Sequence, residues 1–254
     1  MNSAKKFDMV RTVFSVLIAL AISFVIIFMV SDQPLEAIKY LLIGPFTNKR
    51  SMGNVVESMI PLIFTGTGVC IMFSANQINL AGEGAFHIGG LIASCVAIKL
   101  TATFVSPFMA LLCAGLVGAL FTAIPAIMKI TTTASEMVSS LMINYLALYF
   151  GNYMLNNVIG DPKASAASYK LADAAELPVL IPGTRVHLGI IIAIAVAALG
   201  YFFLYRTKMG YELRLAGENE EFAKYSGVSI VKVIMISQLL GGFVAGLGGG
   251  VEML

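Results

Sequence analysis

The chain has 254 residues, of which 58% are hydrophobic and only 12% are charged, and its formal net charge is +2. A soluble domain carries about 25% charged residues, so a water-soluble fold cannot hide this much apolar surface. The scattered basic residues form no aromatic-interleaved stretch of the kind that binds nucleic acid. The composition therefore excludes an ordinary soluble domain and a nucleic-acid-binding protein, and it indicates a membrane protein.

Long uncharged runs predict about seven transmembrane helices. The first, Val13–Val30, follows a short basic segment, but no small-residue cleavage site comes after it, so it is predicted to be an uncleaved helix rather than a signal peptide. The second is predicted at about 55–73, the third ends near 98 after an interruption of the apolar pattern, and the fourth ends at 128. The last three are predicted at about 137–155, 186–205 and 228–254. The predicted fold is an all-α polytopic bundle in a single transmembrane domain, residues 1–254.

Polar segments between these runs predict where the helices begin and end. Asn54 and Glu57 are spaced as the N-cap and third residue of a capping box before the second span. Residues 129–133 are predicted to form a tight polar turn. Residues 156–185 contain three prolines and are predicted to be a loop long enough for a small extracytoplasmic element.

The segment 76–90, NQINLAGEGAFHIGG, interrupts the apolar pattern and predicts a broken helix near or within the membrane. Asn79 and Glu83 lie in it, and polar groups at this depth are costly. They either satisfy backbone groups that the break frees or line a substrate pathway. Asn144, in the middle of the fifth span, leaves two similar alternatives, since it either faces a pore or bonds to a neighbouring helix.

The charged segment 206–227 joins the last two spans and contains a predicted short helix, about 220–226. Asn219 can cap this helix, and Gly227 can end it. Phe222 and Tyr225 are three residues apart and therefore share a face. A helix this short is marginal alone in water, so it needs a surface to lie on.

The last apolar run carries Gly242, Gly246 and Gly250 at a spacing of four. Small residues at this spacing let two membrane helices approach closely, so these glycines are predicted to serve helix packing. A dinucleotide-binding loop would instead need a preceding strand and a soluble βαβ unit.

The sequence contains no motif that would make this chain an enzyme. It has no Gly-Lys pair for a P-loop, and neither GxSxG nor HExxH occurs. His87 and His187 stand alone without other ligands at metal spacing, and the three cysteines form no CxxC pair. We therefore expect no catalytic residue, no metal and no cofactor bound by this chain.

Several of these segments resemble the permease subunits of bacterial ABC importers, in the branch that includes simple-sugar, branched-chain amino-acid and nucleoside permeases. The resembling segments are PLEAIKYLLIGPF (34–46), PLIFTGTGVCIMFSANQINLAGEGAFHIGG (61–90), ASEMVSSLMINYLALYF (134–150), MGYELRLAGENEEFAKYSGVSIVKV (209–233) and GGFVAGLGGGVE (241–252). The fourth is the most specific, because it is similar to the family's cytoplasmic loop that ends in a coupling helix. The segments NLAGEG and SEMVSSLMINY resemble the nucleoside branch more than the ribose branch.

The resemblance implies a multi-pass permease subunit in the cell membrane, with a cytoplasmic N-terminus and a small solute, nucleosides or alternatively sugars, as cargo. A separate cytoplasmic ATPase would bind ATP and Mg, an extracytoplasmic solute-binding lipoprotein would deliver the solute, and a second permease copy or a homologous permease would complete the pathway. Membrane lipid would surround it, and no nucleic acid is expected as a partner. The residues implied to contact the ATPase are Glu218, Asn219, Glu220, Phe222, Ala223, Tyr225 and Gly227.

The orientation has weak support from the positive-inside rule, because basic residues are nearly balanced between the two sides. Family members usually carry further helices after the glycine-rich one, so the chain is expected to be C-terminally incomplete relative to the family. One alternative of another class is an ion-coupled secondary transporter with Glu83 and Asn79 as its site. That alternative predicts uptake driven by an ion gradient, with neither ATP nor a partner.

Overall fold

The computed structural model describes residues 3–100, 105–132, 134–160, 168–171 and 175–254, and these residues form ten helices. In chain order the helices are α1 (Ser3–Val30), α2 (Pro34–Thr47), α3 (Lys49–Ser74), α4 (Gly82–Lys99), α5 (Ser106–Thr132), α6 (Glu136–Asn157), α7 (Gly189–Arg206), α8 (Lys208–Glu218), α9 (Glu220–Tyr225) and α10 (Ile230–Met253). Within the described residues, β structure is limited to two isolated bridges, Gly160–Ser168 and Val179–His187. The predicted all-α class is confirmed.

The chain divides into two compact units, residues 1–55 and 56–254. In the first unit, α1 packs against α2. The second unit contains the helices from most of α3 onward, with α10 packed closely against α4 and α5. The single-domain organisation stays a prediction.

Five helices in the described residues are long and apolar enough to cross a membrane. They are Val10–Val30 within α1, Lys49–Ser74, Ser106–Thr132, Gly189–Arg206 and Ile230–Met253. These five confirm a helical membrane protein and correspond to the first, second, fourth, sixth and seventh predicted spans. The other two predicted spans are helical, as α4 and α6, but they are not among the five, so the count of seven stays a prediction.

Glycines bring α10 into backbone contact with its neighbours. A Cβ atom added at Gly242 would lie 2.6 Å from the carbonyl oxygen of Gly118 in α5, and one at Gly250 would lie 2.9 Å from the Ala114 Cβ. A Cβ at Gly246 would collide with the Ala114 carbonyl oxygen. All three predicted packing glycines therefore face α5, where any side chain would push the two helices apart.

Two predicted helix boundaries are wrong because polar residues end an apolar run without ending a helix. Helix α3 begins at Lys49, so Asn54 lies inside the helix and is not its N-cap. Helix α5 continues to Thr132, so the predicted turn at 129–133 is helical as far as it is described. The Thr131 hydroxyl donates to the carbonyl oxygen of Ile127, four residues earlier, so the polar side chain is accommodated on the helix.

The broken helix is shorter than predicted. We call the non-helical segment between α3 and α4, residues 75–81, the break. Helix α4 begins at Gly82, so the predicted extent to residue 90 is wrong. Gly84, Gly89 and Gly90 of this region lie within α4 and serve close packing rather than a turn. A Cβ at Gly84 would lie 2.6 Å from the Asn144 side-chain oxygen, and one at Gly90 would lie 3.0 Å from the Gly249 carbonyl oxygen.

The predicted extracytoplasmic loop at 156–185 lies partly outside the described residues. In its described part, the Leu177 amide donates to the carbonyl oxygen of Leu254 at 2.8 Å. The loop backbone is thereby attached to the end of the chain just after α10.

Candidate functional site

Asn79 joins the break to the centre of the second unit. Its side chain is 1% exposed, and its Oδ1 accepts from the Ala81 amide at 2.7 Å. Its Nδ2 donates to Gln238 Oε1 of α10 at 2.7 Å, and Thr122 of α5 donates to the Gln238 carbonyl oxygen at 2.7 Å. The structure thus has Asn79 in an internal hydrogen-bond network, which agrees with the first of the two alternatives, while its lining of a substrate pathway stays a prediction.

Asn144 attaches the other side of the break to α6. Its Oδ1 accepts from the Gly84 amide at 2.9 Å, and its Nδ2 donates to the Leu80 carbonyl oxygen at 2.7 Å. The Leu80 amide donates to Ser140 Oγ at 3.0 Å. The first amides of a helix have no intrahelical partner, so Asn144 supplies one at the start of α4. Its side chain therefore bonds to a neighbouring segment, and the pore-facing alternative stays a prediction.

Lys129 makes a third attachment, at the beginning of the break. Its Nζ donates to Gln77 Oε1 at 2.6 Å and lies 3.2 Å from Glu136 Oε1. Gln77 and Glu136 are both buried. Sequence reasoning missed this cluster, although a lysine at the end of an apolar run and a glutamine inside a predicted break were available signals.

Glu83 differs from the two asparagines, because it is exposed. No hydrogen bond or ion pair reaches its carboxylate within the described part of the chain. A charged side chain at the centre of a membrane costs about 2.5–3.5 kcal/mol in insertion measurements. The first turn of a helix returns only about 0.3–1 kcal/mol to a negative charge. The stabilisation that the first turn of α4 gives to the Glu83 carboxylate is therefore smaller than the cost of placing that carboxylate in lipid. This face of the helix needs water or a partner.

Glu83 lines a groove of about 360 Å³ between α3 and α4. The groove is lined by Pro61, Leu62, Thr65, Val69, Asn79, Leu80, Gly82, Glu83 and Phe86. Most of these side chains are apolar, and Glu83 is the single carboxylate among them.

His187 lies at the other end of the second unit, just before α7. Its Nδ1 accepts from the Gly189 amide at 3.1 Å, and burial lowers the pKa of the imidazole, an effect that the Glu57 carboxylate partly opposes. Among the described residues, no group of three or more His, Cys, Asp or Glu side chains could hold a metal ion.

Helices α8 and α9 occupy the charged segment between the last two predicted spans. Sequence reasoning missed α8, whose N-cap Thr207 accepts from the Gly210 amide at 3.1 Å. The predicted short helix is confirmed as α9. Asn219 Oδ1 accepts from the Phe222 amide at 2.9 Å, and Gly227 has a φ of +83°, the left-handed conformation that suits glycine after a helix.

Helix α9 has one buried residue and an exposed aromatic pair. Ala223 is 0% exposed and belongs to the same buried cluster as Leu213 and Val233, which gives the helix its surface to lie on. Phe222 is 57% exposed and Tyr225 is 91% exposed. Glu218 and Glu220 are also exposed, and Glu220 pairs with Lys224 at 2.9 Å, so charged side chains adjoin the aromatic pair.

The segment α8–α9 lies directly against the start of the break. A Cβ atom added at Gly217 would collide with the carbonyl oxygen of Ser74, the last residue of α3. A cavity of about 120 Å³ is shared by Gln77, Lys129 and Glu220. The two sites are therefore adjacent, with no layer of other residues between Gly217 and the end of α3.

Comparison with known proteins identifies the relatives of this chain. Residues 51–254 match the family described as branched-chain amino acid transport system / permease component. The guanosine ABC transporter permease protein NupP of Bacillus subtilis is 31% identical over 215 residues, which cover 83% of this chain and 62% of that protein. The glucose ABC transporter permease protein TsgB13 of Haloferax volcanii is 30% identical over 254 residues, which cover 95% of this chain and 67% of that protein.

A third relative is the nucleoside ABC transporter permease protein NupB of Lactococcus lactis, 25% identical over 230 residues, covering 85% of this chain and 63% of that protein. The chain thus spans roughly two thirds of the length of these relatives, 62%, 67% and 63% respectively. No solved structure matches the chain.

Proposed function

The chain belongs to the permease-component family of branched-chain amino acid transport systems, and from that premise we propose that it is the membrane subunit of an ATP-driven importer. In this role it forms part of a solute pathway through the cell membrane and is not itself an enzyme. A separate cytoplasmic ATPase binds ATP and Mg and hydrolyses the nucleotide.

The observation that carries this proposal is the exposed aromatic pair of α9. Phe222 and Tyr225 are held at a fixed place by the Asn219 cap and by burial of Ala223. Large aromatic side chains are frequent anchors of protein interfaces, because they bury much apolar area at little cost in side-chain entropy. A six-residue helix presenting two of them fits a docking element for the ATPase.

The remaining partners follow from the same role. An extracytoplasmic solute-binding lipoprotein delivers the solute, and a second copy or a homologous permease forms the other half of the pathway. The N-terminus and α8–α9 lie in the cytoplasm, and lipid covers the exposed apolar faces of the spanning helices.

Nucleosides are the first candidate solutes, because two of the relatives described above are a guanosine and a nucleoside permease. Sugars are the second candidates, because the relative that aligns with 95% of this chain is a glucose permease. The ion-coupled alternative is less favoured by the geometry, since the Asn79 amide is engaged in internal hydrogen bonds and leaves Glu83 without a second ligand.

The double variant Phe222→Ala/Tyr225→Ala tests the docking role. The assembled complex is purified from gently solubilised membranes, and the amount of copurifying P-loop ATPase is measured together with ATP-driven uptake of guanosine and of D-glucose. Loss of two interface anchors should weaken ATPase binding by about 30-fold or more and abolish uptake. The thermal midpoint of the permease should not change, because both side chains are exposed.

The matched control is Tyr149→Ala/Tyr153→Ala, an exposed aromatic pair on α6. It should leave ATPase capture intact. Normal capture and uptake in the α9 variant would refute the docking role, and recovery of the unmodified chain without any ATPase would overturn the importer proposal itself.

A further inference from the structure

The groove that contains Glu83 lies well inside the span of a membrane helix. Its α3 residues run from Pro61 to Val69, which are thirteen to five residues before the end of α3 at Ser74. At 1.5 Å per residue they lie about 8 to 20 Å from that end along the helix axis. A solute in the groove would therefore sit between the two membrane surfaces.

The polar groups available in the groove are hydrogen-bond acceptors. Both carboxylate oxygens of Glu83 are without a partner in the described residues. The Thr65 hydroxyl already donates to the Pro61 carbonyl oxygen at 2.8 Å, so only its lone pairs remain. The Asn79 amide is occupied by the break and by α10. The groove therefore requires a ligand that donates hydrogen bonds.

A metal ion does not fit this set. Calcium takes six to eight oxygen ligands, and magnesium requires near-ideal octahedral coordination. One carboxylate and one hydroxyl fall short of either, and the described residues contain no group of side chains suited to a metal. An ammonium or guanidinium group would also donate to a carboxylate, but the solutes proposed above carry neutral hydroxyl groups. Such a solute would offer two adjacent donors to the two carboxylate oxygens and an apolar face to Phe86 and Leu62.

We propose that this groove binds the vicinal diol of the transported solute, with the Glu83 carboxylate accepting hydrogen bonds from two neighbouring hydroxyl groups. The groove volume of about 360 Å³ is within the usual range for small-molecule sites. The inference rests on the proposed importer function. The shared chemistry is the diol, which a ribonucleoside and a simple sugar both carry.

The experiment uses the assembled complex in proteoliposomes, with its ATPase, second permease and binding protein. Initial uptake is measured for guanosine against 2′,3′-dideoxyguanosine, and for D-glucose against 2,3-dideoxy-D-glucose, since each analogue lacks a vicinal diol. The unmodified complex should prefer the diol-bearing member of one pair by about tenfold or more. The pair that is transported identifies the source of the diol.

Glu83→Gln should reduce this preference to less than about threefold, because the amide retains only one acceptor oxygen. ATPase capture should be unchanged. Selection by the binding protein is the same in both complexes, so the change in the ratio isolates the groove. The control Glu36→Gln alters an exposed carboxylate outside the groove and should leave the ratio unchanged. If Glu83→Gln does not assemble, Glu83→Asp keeps a shortened carboxylate and should lower the preference partway.

An unchanged preference in these variants would overturn the diol site while leaving the importer function standing. Loss of the second permease subunit from the Glu83→Gln complex would assign this face to permease pairing and overturn the ligand site. Failure of the unmodified, ATPase-bound complex to transport either solute would reject both proposed substrate classes and the diol site with them.

Discussion

The break at 75–81 and helix α9 are both short polar interruptions of an apolar chain, yet they use their polar residues in opposite ways. In the break, Gln77 and Asn79 are buried and bonded to α5 and α10. In α9, Phe222 and Tyr225 are exposed, and the polar residues serve to cap the helix or face solvent. The difference shows that an interruption can be internal support or a free contact surface, and that side-chain partners distinguish the two.

Asn144→Ala tests the supported region and should have the largest effect. It leaves the buried Gly84 amide and the partly buried Leu80 carbonyl oxygen without their side-chain partners. An unsatisfied buried group costs about 1–3 kcal/mol, so a loss of about 3 kcal/mol in unfolding free energy is expected. Thermal and denaturant unfolding in one detergent measures it.

The matched control is Asn152→Ala, an exposed asparagine on the same helix, which should change stability by less than about 0.5 kcal/mol. Equal stability losses for the two variants would show that Asn144 does not support the break.

Gly217→Ala tests the junction of the two regions and should have an intermediate effect. The added methyl group collides with the Ser74 carbonyl oxygen, so α8 must move away from the break. Overpacking of this kind costs about 1–3 kcal/mol. ATP hydrolysis by the bound ATPase should continue while solute uptake falls, and both rates are measured on the same proteoliposomes.

Gly66→Ala provides the control, because no atom lies within 4 Å of a Cβ at this helical glycine. It should be neutral or slightly stabilising, since alanine favours helix over glycine by about 0.8–1.0 kcal/mol. If Gly217→Ala and Gly66→Ala have the same rates of ATP hydrolysis and solute uptake, a displacement of α8 does not act on the break.

Asn219→Ala tests the exposed region and should have the smallest effect. Loss of its bond to the Phe222 amide should destabilise α9 by about 1 kcal/mol. Hydrogen exchange at the amides of residues 220–226 should therefore become about fivefold faster, while the break is unaffected.

Ser229→Ala is the matched control, because Ser229 stands at the N-cap of α10 without a side-chain cap bond. Its replacement should leave exchange at the start of α10 unchanged. Faster exchange throughout the break after Asn219→Ala would show that α9 and the break unfold as one unit.

The sequence predicts the apolar helices and α9 well, because each depends on local signals. Uncharged length identifies a span, and Asn219 followed by acidic residues and a later glycine identifies a capped short helix. Helix α8 was missed because its mixed sequence, KMGYELRLAGE, has neither a long apolar run nor a strong acidic start.

The extent of the break and the attachment of its polar residues could not be predicted from local pattern. Glycine permits both a turn and close helix contact, so Gly84 and Gly90 looked like breakers although they pack within α4. Lys129 and Gln77 are 52 positions apart in the sequence, and no spacing rule joins them. The roles of Asn79, Glu83 and Asn144 depend on the same three-dimensional information.

The contacts between α10 and α5 also determine how the two helices can move. Gly242, Gly246 and Gly250 raise no side-chain ridge toward α5, so they alone would not fix the axial register of the two helices. The register is fixed beside them, where the Phe243 ring occupies the place that a Cβ at Gly115 would need and Thr122 donates to the Gln238 carbonyl oxygen at 2.7 Å. A shift by one glycine repeat, four residues or about 6 Å along the axis, would break both contacts, so α10 and α5 are expected to move as one body.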